Sequence, residues 1–247
     1  MTTTGTPAAL RGERPFFANP AREHAETLTG RPLRVLRAGC LTPLSELGLD
    51  QVELTVTTAD ADHPLVRTVL GEPASSEAVL GDVRTAPLRP RTFDIVYCAL
   101  LLERTSNVEV VLDRLAGALR PGGLLLLRFT DRDSAIGLLD RTLPKLARRA
   151  LWRRYRPGTP GPFPTVYEAA VSARGIQAYT LMRGLVITTR TTSRTGPVVR
   201  DRTARFLDRV CRVISGVTHG RITAGHDELL YVIRKPEDRF ARVVLSG

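Results

Sequence analysis

The sequence predicts an α/β protein: a doubly wound, mostly parallel sheet with helices on both faces. Three observations carry that prediction. Phe93 to Leu100 is a nearly continuous apolar run, the texture of a strand buried on both sides of a parallel sheet. Val108, Val111, Leu112, Leu115 and Leu119 then recur at helical spacing. Pro121-Gly122-Gly123 stops that helix and supplies a turn, and Leu124 to Leu127 opens a second apolar run. Strand, crossover helix and parallel strand form a right-handed βαβ unit, around which the rest of the chain is expected to be built.

The other elements follow in order. Residues 1–30, rich in Thr, Pro, Gly and charge, read as a flexible N-terminal arm with one helix near Ala21 to Thr29. Leu33 to Leu36 is a short strand ending at Arg37, and Ala38-Gly39-Cys40 turns into a helical piece around Pro43 to Leu49. Gln51 to Thr58 alternates and is β-branched, so it is the second strand. A helix across Pro64 to Leu70 and a short strand from Ala78 to Leu80 precede the central unit. Ser106-Asn107-Val108-Glu109 has the spacing of a capping box. After Phe129, Asp133 to Arg156 is helical and Pro144 kinks or divides it. A proline-rich loop (157–164), a helix from Tyr167 to Arg174, a strand from Gly184 to Thr191, a helix from Val198 to Ile214 and a last strand from Glu228 to Arg234 complete the chain. The expected organisation is one domain over 31–235, with a helical insertion at 133–175 and a C-terminal tail at 236–247.

Composition narrows the functional classes. A 43% apolar and 25% charged chain of 247 residues is that of a water-soluble globular domain with one large core. No apolar run reaches the roughly 18 residues of a spanning helix. Cys40, Cys98 and Cys211 are odd in number and far apart, which favours no disulfide framework, no metal site and a reducing, cytoplasmic setting. The net charge of +11 comes almost entirely from arginine, since only Lys145 and Lys235 are lysines. Such a bias fits a GC-rich coding composition and argues against a specific nucleic-acid role.

The run Leu80-Gly81-Asp82, Pro87-Leu88, Phe93-Asp94-Ile95-Val96, Leu102-Glu103-Arg104 and Leu119-Arg120-Pro121-Gly122-Gly123 resembles the class I S-adenosylmethionine-dependent methyltransferases, in particular their small-molecule branch. The resemblance spans roughly Leu33 to Phe129. It implies a Rossmann-like seven-stranded sheet whose last strand is antiparallel, S-adenosylmethionine as cofactor, no metal, and methyl transfer to a metabolite or lipid-linked acceptor. It places the cofactor over Ala38, Gly39 and Cys40, its ribose against an acid at the end of the second strand (Thr57 or Thr58 by alignment, with Asp60 as the nearest substitute), and its adenine beside Asp82 and Val83. Cys98, Ala99 and Leu100 close the pocket. Glu103, Arg104, Asp131 and Tyr167 are the expected acceptor-side residues.

The sequence also departs from that pattern. Of the family's glycine loop only Gly39 survives, with Leu41 and Pro43 in place of glycines and Arg37 in place of an acid. Arg104 stands where the family has a histidine, and a guanidinium cannot act as a base near neutral pH. A second reading therefore stands beside the enzyme: a non-catalytic member of the fold, serving as an interaction or scaffold module with weak or no cofactor binding. Individual residues have plainer readings too. Asp82 could be a turn acid, Glu103-Arg104 a solvated pair, Asp131 and Asp133 helix caps, and His226 a surface residue. The basic helix of 141–156, with Trp152 and Tyr155 among arginines, would allow peripheral contact with an anionic membrane or simply carry a solvated face. Neither the acceptor nor the oligomeric state is legible.

Overall fold

The computed structural model describes residues 16–28, 30–64, 66–67, 77–155, 161–194 and 202–237. Seven strands form one sheet in the order β3-β2-β1-β4-β5-β7-β6. They are β1 (Leu33–Ala38), β2 (Leu54–Asp60), β3 (Glu77–Leu80), β4 (Phe93–Ala99), β5 (Leu119–Thr130), β6 (Val186–Ser193) and β7 (Glu228–Arg234). Strands β1 to β5 run parallel, and β7 lies antiparallel between β5 and β6. The order reverses between β1 and β4, so ligands are expected outside the carboxyl ends of those strands. The helices are α1 (Ala18–Glu26), α2 (Val108–Ala118), α3 (Ala135–Thr142), α4 (Lys145–Tyr155), α5 (Ala173–Met182) and α6 (Arg202–Val217).

Two cores sandwich the sheet. On one face, Leu36, Val96, Cys98, Leu125 and Leu127 pack against Val111, Leu112 and Leu115 of α2 and Ile176 and Tyr179 of α5. On the other, Val35, Ile95, Tyr97 and Leu126 pack against Phe17, Ala21 of α1 and Leu47. The N-terminal arm is thus fastened from Phe16 onward: Phe17 is 1% exposed and meets Tyr97 edge-on at 5.5 Å. Two aromatic residues at the helix entry hold what composition alone marks as loose.

Several boundaries differ from the sequence reading, each for a local reason. Strand β2 runs to Asp60 rather than Thr58, because the register pairs Leu33 with Leu54 and Ala38 with Ala59. The capping box does not form. Asn107, at φ 54°, enters α2 without a side-chain cap, and the carboxylate of Glu168 accepts from the amides of Asn107 and Val108 at 2.6 and 2.9 Å. Pro121-Gly122-Gly123 lies inside β5 as an irregularity, where pairing with β4 jumps from Phe93↔Leu119 to Ile95↔Leu124. Pro144 divides α3 from α4, as its missing donor dictates. Ser134 rather than Asp131 or Asp133 caps α3, its Oγ accepting from Gly137 N at 3.0 Å. The helix expected over Tyr167 to Arg174 begins instead at Ala173, behind a Ser172 cap.

Two small clusters lie above the strand ends. Ala135, Ile136, Leu151 and Cys211 join α3, α4 and α6 into a helical cap. Cys40, Val66 and Phe163, with Leu41, Leu80 and Trp152 against them, form the other, on the turn that follows β1. Among the described residues no helix is long and apolar enough to cross a membrane.

Candidate functional site

The site is organised by Asp60, the last residue of β2 and fully buried. Its two carboxylate oxygens accept from Cys40 N at 2.8 Å and Ala61 N at 2.7 Å, fixing the turn after β1 to the end of β2. Arg104 NH2 meets the same carboxylate at 2.8 and 2.9 Å, and Arg104 Nε donates to Leu100 O at 2.8 Å. With 6% of its side chain exposed, Arg104 is a buried partner rather than half of a solvated pair. The Phe163 ring covers the guanidinium at 4.8 Å. Trp152 packs edge-on to Phe163 at 6.3 Å and His63 lies 5.3 Å from it. Gly161 lets this loop close, since a Cβ there would come within 2.3 Å of the Trp152 indole. Trp152 therefore faces inward and is not the membrane-facing aromatic expected of the basic helix.

Beside Asp60, the β1 turn meets the end of β4. Gly39 has φ +86°, and a Cβ on it would lie 2.3 Å from Ala99 O, so only glycine fits this approach. Arg37 does not point a reversed charge at a ligand. Its NH2 donates to the carbonyls of Cys40 and Thr42, tying down the turn that lacks the missing glycines. Burial and the neighbouring Asp60 push the Cys40 thiol up to about 12, so it is no nucleophile near neutral pH. Burial likewise raises the Cys98 thiol.

A cleft of about 360 Å³ adjoins this centre, lined by Ala61, Asp62, Gly81, Asp82, Val83 and Arg84. Val83 is buried there. Asp82 is half exposed, and Arg84 holds it through side-chain bonds of 2.7–2.9 Å and its backbone amide at 2.9 Å. Those bonds keep the carboxyl below its ordinary range. Asp82 thus does have the turn-acid geometry.

The acceptor-side residues are tied to partners of their own. Glu103 is buried, with Oε1 accepting from Thr130 Oγ1 at 3.2 Å, and its carbonyl accepts from Val166 N and Tyr167 N. The Tyr167 hydroxyl donates to Asp140 at 3.1 Å, and Arg148 reaches the same carboxylate at 3.0 Å. Asp131 meets His226 Nε2 at 2.9 Å and accepts from Asp133 N at 3.0 Å. His226 is therefore not simply a surface residue.

Of the residues singled out in the sequence, Ala38, Gly39, Cys40, Asp60, Cys98, Ala99, Leu100 and Arg104 come together at the strand ends. Asp82 and Val83 line the adjoining cleft. Thr57 does not join them: three residues short of the end of β2, it pairs with Leu36 and Glu77 and lines a separate groove with Arg34, Thr55 and Val79. Phe163, Trp152 and His63 were missed. The lone phenylalanine among the prolines of 157–164 was the signal, because a rigid loop bearing one large apolar side chain needs a place to bury it.

A methyltransferase-domain family model matches residues 33–127, the sheet from β1 into β5. Over those residues the chain is similar to the methyltransferase domain. No curated protein matches it. Among solved structures, the chain resembles loganic acid methyltransferase with SAH at 12% identity, covering 90% of this chain and 91% of that one, with a TM-score of 0.52. It is also similar to an S-adenosylmethionine-dependent methyltransferase from Mesorhizobium loti, at 16% identity, 88% and 96% coverage and a TM-score of 0.51. The [4+2]-cyclase SpnF is similar as well, at 14% identity, 89% and 82% coverage and a TM-score of 0.50. At such identities the likeness is one of fold, and a cyclase among these structures illustrates that the fold alone does not fix the reaction. Among the described residues no cluster of His, Cys, Asp and Glu could hold a metal ion.

Proposed function

We propose that this chain is an S-adenosylmethionine-dependent methyltransferase acting on a small metabolite or lipid-linked acceptor, with a cofactor cleft that its own Arg104 closes. The observation that carries the reading is the buried Asp60 carboxylate at the last residue of β2, beside the Gly39 turn. In this reading Asp60 takes the ribose hydroxyls, and Ala38 to Cys40 lie under the methionine part. Asp82 and Val83 face the adenine, and Cys98 to Leu100 close the far wall. Glu103, Asp131 and Tyr167 belong to the acceptor side, whereas Arg104, through its ion pair with Asp60, belongs to the ribose end. When bound, the cofactor supplies a methyl group already activated on a sulfonium, so orienting a nucleophilic acceptor can suffice.

The backbone frame suits such a ligand, but two side chains do not. Arg104 and Phe163 fill the ribose end, so a ligand enters only if they leave. Neutral hydroxyls must then replace a guanidinium on Asp60. Each hydrogen bond to a charged group contributes about 1.5–3 kcal/mol, and the exchange weakens apparent affinity in proportion to how rarely the open state is populated. The same two side chains favour the second reading, a non-catalytic member of the fold.

Equilibrium dialysis with labelled S-adenosylmethionine separates the two. The enzyme reading expects measurable binding that Asp60→Ala abolishes, and labelled methyl transfer to a small-molecule extract. Absence of binding to both the wild type and Arg104→Ala at millimolar ligand would leave the non-catalytic reading standing.

A further inference from the structure

Helix α6 carries more apolar surface than the domain covers. At 100° per residue, Leu207, Cys211 and Ile214 fall within about 60° of one another and face the helical cap. Phe206, Val210, Val213 and Val217 form a second arc about 60° wide beside the first. That second arc faces outward: Phe206, Val213 and Val217 are 64%, 63% and 73% exposed. Its other edge is lined by the exposed Arg205, Arg209 and Arg212, which cluster within about 60°. The helix has one acid over its described side chains, Asp208, and Arg194 holds it at 2.8 Å. The neighbouring α4 has the same texture, with Lys145, Leu146, Arg149 and Arg153 exposed, no acid, and Leu146 84% exposed.

We infer that the outer face of α6 docks on an anionic lipid surface, the apolar arc entering the headgroup boundary and the arginines meeting lipid phosphates. An apolar stripe edged by arginines is the pattern of an interfacial helix. Charge complementarity selects the occupant. A chain of net charge +11 is drawn to a negative bilayer, whereas a second copy would bring like charge against like. The inference rests on α6 and is independent of whether the cleft binds S-adenosylmethionine.

Co-sedimentation of the full chain with vesicles tests it, comparing phosphatidylcholine alone with phosphatidylcholine containing phosphatidylglycerol. Binding is expected only to the anionic vesicles, weakening steeply with salt. Phe206→Ser with Val213→Ser, both at exposed positions, should lower it by about tenfold or more. Arg205→Gln with Arg209→Gln and Arg212→Gln should remove most of the salt dependence. No binding to anionic vesicles, binding that the serine pair leaves unchanged, or a dimer in solution that the serine pair separates would overturn the inference.

Discussion

Asp60 and Arg104 form a buried ion pair at the carboxyl ends of the strands. A buried carboxylate with two backbone donors needs a further partner, and here Arg104 supplies it. In the proposed cleft the ribose hydroxyls would be that partner. Cys40 sits against the same carboxylate, and its thiol lies at about 12, while burial first and Asp227 next put Cys211 at about 11. Thiolate forms only as pH approaches those values. All three cysteines should therefore resist iodoacetamide in the native protein at neutral pH and react once it is denatured, which mass spectrometry would read. Rapid alkylation of native Cys40 would show that the turn above Asp60 is open. Gly39→Ala tests the close approach to Ala99: strain at positive φ and the short contact should cost roughly 1–3 kcal/mol in chemical denaturation.

At the scale of elements, a long-range cap replaces the local one at α2, while α3 and α5 keep local serine caps. Glu168, sixty residues downstream, holds the N-terminus of α2, whereas Glu109 is the residue a capping box would use. Glu168→Ala should lower stability by about 1 kcal/mol, while Glu109→Ala should have a much smaller effect. Equal effects from the two would restore the local cap. This pair also marks the limit of sequence reading. Periodicity located α2, β4 and β7 well, since each is decided by its own apolar pattern. It could not see that the loop before α5 reaches back to α2. The two-residue slip in β2 had a similar origin. Strand ends are set by register with β1, and that slip moved attention from Asp60 to Thr57. The frame of the site was legible through Gly39 and Asp60. Its filling was not, because Phe163 comes from a distant loop.

Over the whole molecule, one buried acid ties the base of the sheet. Asp94 opens β4 and accepts from Arg31, Arg120 and the amide of Arg34 at 2.7–2.9 Å, joining the N-terminal segment, β1, β4 and β5. Burial pushes its carboxyl up, but these donors outweigh burial and hold it below its ordinary value. A depressed folded pKa stabilises the protein above the unfolded value of about 3.9, and that contribution is lost as pH falls through the folded value. Asp94→Asn should thus cost roughly 3 kcal/mol near neutral pH, and the gap to wild type should close as pH falls below about 4. A constant gap across that range, in melting temperature against pH, would assign Asp94 a purely steric role.

The central claim is that Arg104 occupies the place of a ligand. Isothermal titration of S-adenosylhomocysteine into the wild type and Arg104→Ala, with Asp60→Ala added to the second protein as a control, measures this directly. The variant should bind at least about tenfold more tightly than the wild type, since the internal competitor is gone, and the control should lose the gain. Equal affinities, or no binding to either protein, would contradict it.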